Sequence, residues 1–352
     1  MRDRLFHWPT MVAMEDSHAS TELPYSGLTP DVVLNALDSA GLATTGSLLA
    51  LNSYENRVFQ VGIDADDGRP GFVVAKFYRP GRWTDAQILE EHDFVTELAA
   101  AEITAVPPLR LHDHTLNTFE GFRFAVFKRR GGRAPLLDDP KVLEWIGRFL
   151  GRLHAVGRTR AFEARPLLNI ESFGREPRAW LLAQGWLPPE LRTVYEGVSR
   201  QALDEVQRAF DRAGEIARIR LHGDVHEGNV LWYDGLTDHG PHFVDFDDAR
   251  SGPAVQDMWM LLGADRTEQT QRLADLLAGY EDFSEFDRRE LHLVEALRTL
   301  RLMHYAAWIA RRWSDPAFPA AFPWFDTPRY WEDRILELRE QTAAMQETPL
   351  VV

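Results

Sequence analysis

A polar segment at residues 221–230, LHGDVHEGNV, contains an aspartate, Asp224, followed five residues later by an asparagine, Asn229. A tight turn between these positions could aim the carboxylate at an incoming hydroxyl group and the amide oxygen at a metal ion. Phosphoryl transfer needs both, because it requires an acceptor for the proton of the attacking hydroxyl and oxygen ligands for Mg²⁺. The segment therefore predicts Asp224 as a catalytic carboxylate and Asn229 as a metal ligand.

A second cluster of acids follows in the segment HFVDFDDA, residues 242–249. Side chains alternate along an extended segment, so Asp245 and Asp247 are expected to face one way and Asp248 the other. Asp245 directly follows apolar residues that would anchor it in a buried strand, and we therefore predict Asp245 as the second magnesium ligand. Asp247 and Asp248 are expected to be solvated turn acids.

Two histidines of the first segment, His222 and His226, are spaced as two zinc ligands on one helical face would be. Gly223 and Gly228 argue against a regular helix there. No glutamate directly follows His222, where a zinc protease of this kind keeps its base. We therefore expect no zinc site, and we expect both histidines to orient the backbone of the loop.

A lone cation, Lys76, stands inside the apolar, strand-like run VVAKFY. An unpaired charge is costly to bury, so this lysine is expected to meet negative groups. Phosphoryl transfer also needs a cation on the nucleotide phosphates, and Lys76 is the candidate for that task. The alternative is a lysine at a strand edge that extends its ammonium group into solvent.

The composition limits the classes of function open to the chain of 352 residues. A formal net charge of −15 argues against nucleic-acid and anionic-membrane partners, which need a positive field. The absence of cysteine excludes thiol nucleophiles, disulfides and cysteine-ligated zinc. The sequence shows neither the apolar core of a signal peptide nor an apolar run of about 18 to 20 residues. We expect a cytoplasmic protein with no membrane partner.

The elements that must position these groups change in character along the chain. Residues 1–24 are mixed and aperiodic, which predicts a mobile N-terminal arm. A short helix should follow, with Thr29 as its N-cap and Gly41 as its stop. Strand-like runs then occupy residues 46–63 and 69–81, which predicts a meander of short strands.

A second amphipathic helix is predicted to begin after Thr84, which would be its N-cap. The segment at 130–140, RGGRAPLLDDP, has a glycine pair and turn residues and is the expected domain boundary. Beyond it the apolar residues recur with a helical period, and the aromatic stretch at 308–331 is expected to pack in the core. The patterns thus predict a small strand-rich half at 25–130 and a larger helical half at 131–352.

The motifs taken together resemble a known family. The segments HGDVHEGN and VDFDDA look like the catalytic loop and metal-binding motif of the aminoglycoside phosphotransferase and choline kinase branch of the protein-kinase-like fold. Within that branch, LNSYENRVFQV, VVAKFYRPGRWTDAQILEEH, VDFDDARSGPAVQDMWMLL and RRWSDPAFPAAFPW resemble bacterial stress-response serine/threonine protein kinases. The resemblance covers residues 25 to 348. It implies an α+β, bilobal fold with a small antiparallel-sheet N-lobe carrying one main helix, and a larger, mostly helical C-lobe with a substrate cleft.

The resemblance implies a role for each of the candidate residues. Asp224 matches the catalytic aspartate, and Asn229 and Asp245 match the magnesium ligands. Asp245 is counted with Asp224 among the catalytic residues. Lys76 matches the strand lysine that holds the α- and β-phosphates of ATP. The implied cofactors are therefore ATP and Mg²⁺.

The helix after Lys76 should supply a carboxylate partner for that lysine. Glu91 is chosen because it lies seven residues before Leu98, a spacing typical of the family pattern. Glu90 and Glu97 are expected to be surface acids.

The resemblance also implies contacts around the nucleotide and the catalytic loop. The segment LNSYENR contains no glycine, so its backbone amides, Ser53 and Asn56 would contact the phosphates. Ser53 can equally be a simple turn residue. Asp257 matches a buried aspartate that supports the catalytic loop, and His154 is expected to be a core histidine with its hydrogen bonds satisfied.

The implied activity is the transfer of a phosphoryl group from ATP to a serine or threonine hydroxyl of a protein, autophosphorylation included, in a bacterial stress response. The alternative is a kinase for a small-molecule alcohol such as choline, homoserine or an aminoglycoside, because it would use the same catalytic residues. A binding module that keeps only its ATP contacts would have no need for Asp224. We expect a monomer whose partner is a protein substrate or a small alcohol.

Overall fold

The computed structural model describes residues 23–64, 70–235 and 239–352. The arm predicted at residues 1–24 lies almost entirely outside the described residues. Within the described ranges, no helix combines the length and the apolar character that crossing a bilayer requires.

The chain divides by its internal contacts into two compact units. The first, here the sheet unit, consists of the described residues of Met1–Ala134 together with Gly228–Asp247. The second, here the helical unit, consists of Pro135–Glu227 and Asp248–Val352. The sequence patterns grouped Gly228–Asp247 with the helical half, whereas its contacts lie with the sheet unit.

The secondary-structure elements of the described residues are numbered along the chain. The strands are β1 (Thr44–Ala50), β2 (Arg57–Asp64), β3 (Pro70–Phe77), β4 (Asn117–Phe119), β5 (Phe122–Lys128), β6 (Ile219–Leu221), β7 (Val230–Asp234), β8 (His239–Phe243) and β9 (Arg250–Gly252). The helices are α1 (Pro30–Ser39), α2 (Asp85–Ala100), α3 (Pro140–Gly157), α4 (Glu176–Ala183), α5 (Pro189–Ala213), α6 (Arg266–Tyr280), α7 (Val294–Arg311), α8 (Ala317–Ala321) and α9 (Pro328–Ala344).

The sheet unit is built on a five-stranded antiparallel sheet in the order β1-β2-β3-β5-β4. Alternate residues of β3, Val73, Ala75 and Phe77, belong to the same buried apolar cluster as Val33 and Leu37 of α1. Because side chains alternate along a strand, the residues between them point to the opposite face of the sheet. The predicted small antiparallel sheet, followed by a mostly helical remainder, is confirmed.

The first two helices begin where their sequence signals indicate. Thr29 caps α1, and its side-chain oxygen accepts a hydrogen bond from Val32 N at 3.3 Å. Thr84 and Gln87 form a reciprocal capping box at the start of α2, which satisfies two backbone N–H groups that the helix itself leaves open. Both predicted N-caps are therefore confirmed.

The helical unit pairs the short strands β6 and β9 in antiparallel fashion, and most of its other residues form helices and short 3₁₀ turns, with one π-helical turn at Glu171–Arg175. α7 is buried along nearly its whole length, from Val294 to Ala310. The aromatic stretch that follows contributes Phe318, Phe325 and Trp331 to the core, although Trp324 is 44% exposed. The expectation that this stretch packs inside the protein is confirmed for most of its residues.

Candidate active site

Lys76 lies on the face of β3 opposite the α1 cluster, buried among three carboxylates. Its Nζ atom lies 3.0 Å from Asp245 Oδ1, 2.8 Å from Asp247 Oδ1 and 3.9 Å from Glu91 Oε1. Burial alone would lower the pKa of Lys76, but the charges of the three acids outweigh burial and hold that pKa well above its ordinary value. The lysine is therefore a charged, buried group, and the alternative of a solvated strand-edge lysine is wrong.

Glu91 reaches Lys76 because it lies on the buried face of α2, together with Ile88 and Leu98. Glu90 and Glu97, the other two candidates for the partner of Lys76, are only half-buried. The choice of Glu91 from its spacing thus coincides with the contact in the structure. Its role in holding a nucleotide stays a prediction.

Asp247 is not the solvated turn acid that we expected. Its carboxylate is fully buried, and besides Lys76 it forms an ion pair with Arg82 and accepts a hydrogen bond from Asn56 Nδ2 at 2.9 Å. A buried carboxylate needs such partners, because an ionised group without them is costly to remove from water. The side chain of Asp247 therefore joins the β1–β2 connection, β3 and the segment after β8.

Asp248 is also buried, and the expectation of a solvated acid is wrong for it as well. Its Oδ1 atom lies 2.7 Å from Arg250 Nη2, within the helical unit. The reason is local: Asp245 has a positive φ of 62°, and Phe246–Asp248 form a 3₁₀ turn instead of an extended strand. A left-handed backbone at a residue other than glycine is uncommon and is often found at functional sites.

The connection between β1 and β2 carries the predicted phosphate contacts. Asn56 is buried there, and besides donating to Asp247 its Oδ1 atom accepts a hydrogen bond from Arg79 N at 3.1 Å. The Asn56 amide therefore holds the end of the connection in place, and its contact with phosphate stays a prediction. Ser53 lies half-buried in the same connection, and its contact with phosphate stays a prediction.

The two predicted magnesium ligands stand at the same end of the β7–β8 hairpin. Asn229 immediately precedes β7, and its carbonyl oxygen accepts a hydrogen bond from Val244 N at 3.1 Å, one residue before Asp245. The Asp245 side chain is 34% exposed, whereas those of Glu91 and Asp247 beside the same lysine are buried. In the described part of the chain, no group of three or more His, Asp or Glu side chains is arranged to hold a metal.

This donor set fits Mg²⁺ better than zinc. An amide oxygen and a carboxylate are hard ligands, and Mg²⁺ is commonly bound by one or two carboxylates with water and substrate phosphates completing its shell. Asn229 and Asp245 would hold the ion, and Lys76 would supply the separate positive charge for phosphate. The roles of these residues stay predictions.

Asp224 lies in the helical unit, on the loop that follows β6, and is fully buried. Arg301 Nη1 donates to Asp224 Oδ1 at 2.6 Å, and His226 Nε2 lies 3.4 Å from Asp224 Oδ2. Burial opposes ionisation, but the positive charge of Arg301, aided by His226, holds the pKa of Asp224 well below its usual range. The carboxylate is therefore an anion at neutral pH.

The backbone of this loop is held by the segment after β9. Asp257 Oδ2 accepts a hydrogen bond from His222 N at 2.9 Å, and its Oδ1 accepts one from Gly223 N at 2.8 Å. Gln256 Nε2 donates to Gly223 O at 2.9 Å. The supporting position expected for Asp257 is confirmed by these contacts.

Gly223 is required at its position by both backbone conformation and space. Its φ is +87°, and a Cβ atom would lie 2.1 Å from the carbonyl oxygen of Asp248. Only glycine combines that φ with so close an approach of two backbones. The turn brings Asp224 to its place beside Arg301.

The three histidines near the loop have different partners. His154 is fully buried, with Nε2 3.1 Å from Asp257 Oδ2 and Nδ1 3.0 Å from the hydroxyl of Tyr280, which confirms a satisfied core histidine. His222 Nδ1 accepts a hydrogen bond from Asp224 N at 3.3 Å, as expected for a residue that orients the loop. His226 differs, because its ring contacts the carboxylate of Asp224.

Arg301 is the residue at this site that the sequence reasoning missed. It lies in α7 within the run LRLMH, where a cation stands among apolar residues. The same signal singled out Lys76, and it would have marked Arg301 as a buried cation in need of a carboxylate. It would not have named Asp224, which lies 77 residues away in the chain.

Comparisons with known proteins agree with these features. A family model described as the phosphotransferase enzyme family matches residues 47–294. Stress response kinase A of Escherichia coli strain K12 is 43% identical over 326 residues, which covers 93% of this chain and 96% of the relative. Serine/threonine protein kinase RdoA of Salmonella typhimurium is 42% identical with the same coverage.

Solved structures with a similar fold include an amicoumacin kinase in complex with AMP-PNP and Ca²⁺. Its TM-score is 0.68 at 18% identity, covering 91% of this chain and 95% of that one. A microcompartment-associated aminopropanol kinase has a TM-score of 0.66, also at 18% identity, covering 90% and 97% of the two chains. At such identity these structures show the fold alone. The family match and the curated relatives decide the membership: the chain belongs to the phosphotransferase enzyme family.

Proposed function

We propose that the protein transfers the γ-phosphoryl group of ATP to a serine or threonine hydroxyl of a protein, its own chain included. The observation that carries the proposal is the state of Asp224, a buried carboxylate that Arg301 binds at 2.6 Å and holds ionised. An anion fixed in this way can orient an acceptor hydroxyl and receive its proton late in the transfer. A module that only binds ATP has no use for such a group.

Residues of the sheet unit would hold the nucleotide and the ion. Lys76, steadied by Glu91, would bind the α- and β-phosphates, and Ser53 with neighbouring backbone amides would contact the phosphates from the β1–β2 connection. Asn229 and Asp245 would be the ligands of Mg²⁺. When bound, the ion neutralises charge that develops on the phosphoryl oxygens during transfer.

The protein acceptor is supported by the names of the curated relatives, stress response kinase A and a serine/threonine protein kinase, at 42% identity and above. We infer from the name of the first relative that the protein acts in a bacterial stress response. That it does so as a cytoplasmic monomer is our proposal from the sequence. The small-molecule alternative is supported by the names of the two solved structures, which are kinases for amicoumacin and aminopropanol. The much higher identity of the curated relatives favours the protein acceptor.

One experiment separates the two acceptors. The protein is incubated with labelled ATP and Mg²⁺, alone, with a generic basic protein, with a pool of Ser/Thr peptides and with a panel of amino-alcohols. We expect label on the protein itself or on Ser/Thr residues of the protein and peptide acceptors. Label on a small alcohol alone would replace the proposal with the alternative, and no label on any acceptor would refute both.

The variant that tests Asp224 is Asp224→Asn, because it keeps the shape of the side chain and an oxygen for Arg301. Alanine at this position would leave the buried guanidinium without its carboxylate, a change that typically costs about 3–5 kcal/mol. We expect Asp224→Asn to lose transfer to every acceptor while it binds ATP within a few-fold of the unmodified protein. Full transfer by this variant would remove Asp224 from the mechanism.

A further inference from the structure

Arg301 holds Asp224 from a rigid part of the helical unit. It lies near the middle of α7, whose residues from Thr299 to Ala310 are all buried. The guanidinium of an arginine is planar and always charged, so its direction is set once the helix and the rotamer are fixed. Arg301 therefore fixes both the charge and the position of the carboxylate that it binds.

The two oxygens of Asp224 have different surroundings. Oδ1 accepts the hydrogen bond from Arg301 Nη1 at 2.6 Å, and Oδ2 is bordered by the His226 ring at 3.4 Å. The backbone N–H of Asp224 donates a hydrogen bond to His222 Nδ1 at 3.3 Å. Arg301 from α7 and His226 from the loop are the charged or titratable groups that these contacts place beside the carboxylate.

We infer that Arg301 is a positioning residue for phosphoryl transfer, which binds one oxygen of Asp224 so that the other oxygen receives the acceptor hydroxyl. This inference rests on the proposed function. In the step, the O–H bond of the acceptor breaks as its oxygen forms a bond to the γ-phosphorus, and the bond from that phosphorus to the bridging oxygen of ADP breaks. The proton passes to Asp224 Oδ2 and then to solvent, so the products are the phosphoester and ADP.

Two substitutions of Arg301 separate its effect on the position of Asp224 from its effect on the charge of Asp224. Arg301→Gln keeps a donor group but removes the charge, whereas Arg301→Lys keeps the charge but loses the planar fork. We expect Arg301→Gln to lower kcat about 100-fold with the KM for ATP within a few-fold of normal. We expect Arg301→Lys to recover a large part of that loss.

The dependence of kcat on pH separates positioning from a general structural effect. Without the guanidinium, the pKa of Asp224 rises, so the acidic limb of the profile should move up by about one pH unit or more in Arg301→Gln. It should stay in place in Arg301→Lys. Arg298→Gln is the matched control, because Arg298 lies one turn earlier on α7 and pairs with Glu295 at 3.4 Å.

A double substitution keeps the inference testable without any activity. Asp224→Ala and Arg301→Ala, each of which removes the contact, are made singly and together, and their thermal midpoints are compared. If the two side chains interact, the loss in the double variant is smaller than the sum of the single losses. Additive losses would refute the contact, and with it the inference.

The outcomes distinguish the two claims. A protein that transfers phosphoryl groups, but whose Arg301→Gln variant keeps both its kcat and its acidic limb, overturns the inference and leaves the proposed function intact. A protein that transfers to no acceptor overturns the proposed function, and the inference that rests on it falls too. The comparison of thermal midpoints between the single and double variants then still decides whether the Arg301–Asp224 contact exists.

Discussion

Asp257→Asn should detach the loop that carries Asp224 from its support. The carboxylate of Asp257 accepts hydrogen bonds from His222 N at 2.9 Å and Gly223 N at 2.8 Å, and it contacts His154 at 3.1 Å. Asparagine has the same shape, but one of its terminal atoms is an NH₂ group that would face a backbone N–H. The variant loses a hydrogen bond to a charged acceptor, about 1.5–3 kcal/mol, and leaves a buried donor unsatisfied, about 1–3 kcal/mol.

The two effects together give an expected loss of about 2.5–6 kcal/mol, which is below the stability of most domains, so the variant should remain folded in mild conditions. Denaturant unfolding measures the loss, and steady-state kinetics measure its effect on the loop. We expect kcat to fall about 100-fold, because small displacements of a catalytic group have effects of that size. The KM for ATP should change only a few-fold, because Lys76, Asn229 and Asp245 belong to the sheet unit.

The matched control is Asp265→Asn. Asp265 is an exposed N-cap of α6, where it accepts hydrogen bonds from two backbone N–H groups, and asparagine serves equally well as a cap. This control should unfold and react as the unmodified protein does. An Asp257→Asn variant with normal stability would refute the assignment of its hydrogen bonds, and one with low stability but normal kcat would refute their link to activity.

Three further predictions follow from named contacts. Asp245→Asn should weaken Mg²⁺-dependent nucleotide binding, measured by titration calorimetry, with little loss of stability. Asp247→Asn should mainly lower the unfolding midpoint. The opposite pattern would make Asp247 the metal ligand. Gly223→Ala should lower the thermal midpoint strongly, because the added Cβ has no space. The control is Gly197→Ala in an open helical position, which should keep the midpoint or raise it, since alanine stabilises a helix by about 1 kcal/mol relative to glycine. Burial raises the pKa of Glu290 from 4.5 to about 7, so the folded protein binds one more proton than the unfolded chain between those pH values. The free energy of unfolding should therefore fall by roughly 3 kcal/mol as the pH rises from 4.5 to 7. Glu290→Gln should abolish this slope when denaturation is measured as a function of pH.

Elements with local signals could be predicted from the sequence. The N-caps Thr29 and Thr84 act through backbone groups three residues away, so their own segments contain all the information that they need. Lys76 was recognisable for a related reason, because a cation in an apolar strand must find negative partners. The spacing of Glu91 along α2 placed it on the buried helix face.

The interactions that the sequence did not reveal depend on distant residues. Asp247 was predicted to be a turn acid because no glycine marks the position of the left-handed residue. The positive φ, which changes the direction of the chain, belongs to Asp245. Asn56 and Arg82, the partners of Asp247, lie in the first quarter of the chain. Arg301 likewise meets Asp224 only through the packing of α7, which hydrophobic periodicity cannot place.

The charges around Lys76 indicate why the nucleotide and its metal ion should bind together. Three carboxylates, from Asp245, Asp247 and Glu91, surround the lysine, and Arg82 adds the second cation. This group is negative overall, so by itself it does not favour the approach of a polyphosphate. A divalent ion on Asp245 would make the same group positive, and it would contact the phosphates directly. Bound in this way, each ligand would raise the affinity for the other, and by linkage the effect would be reciprocal.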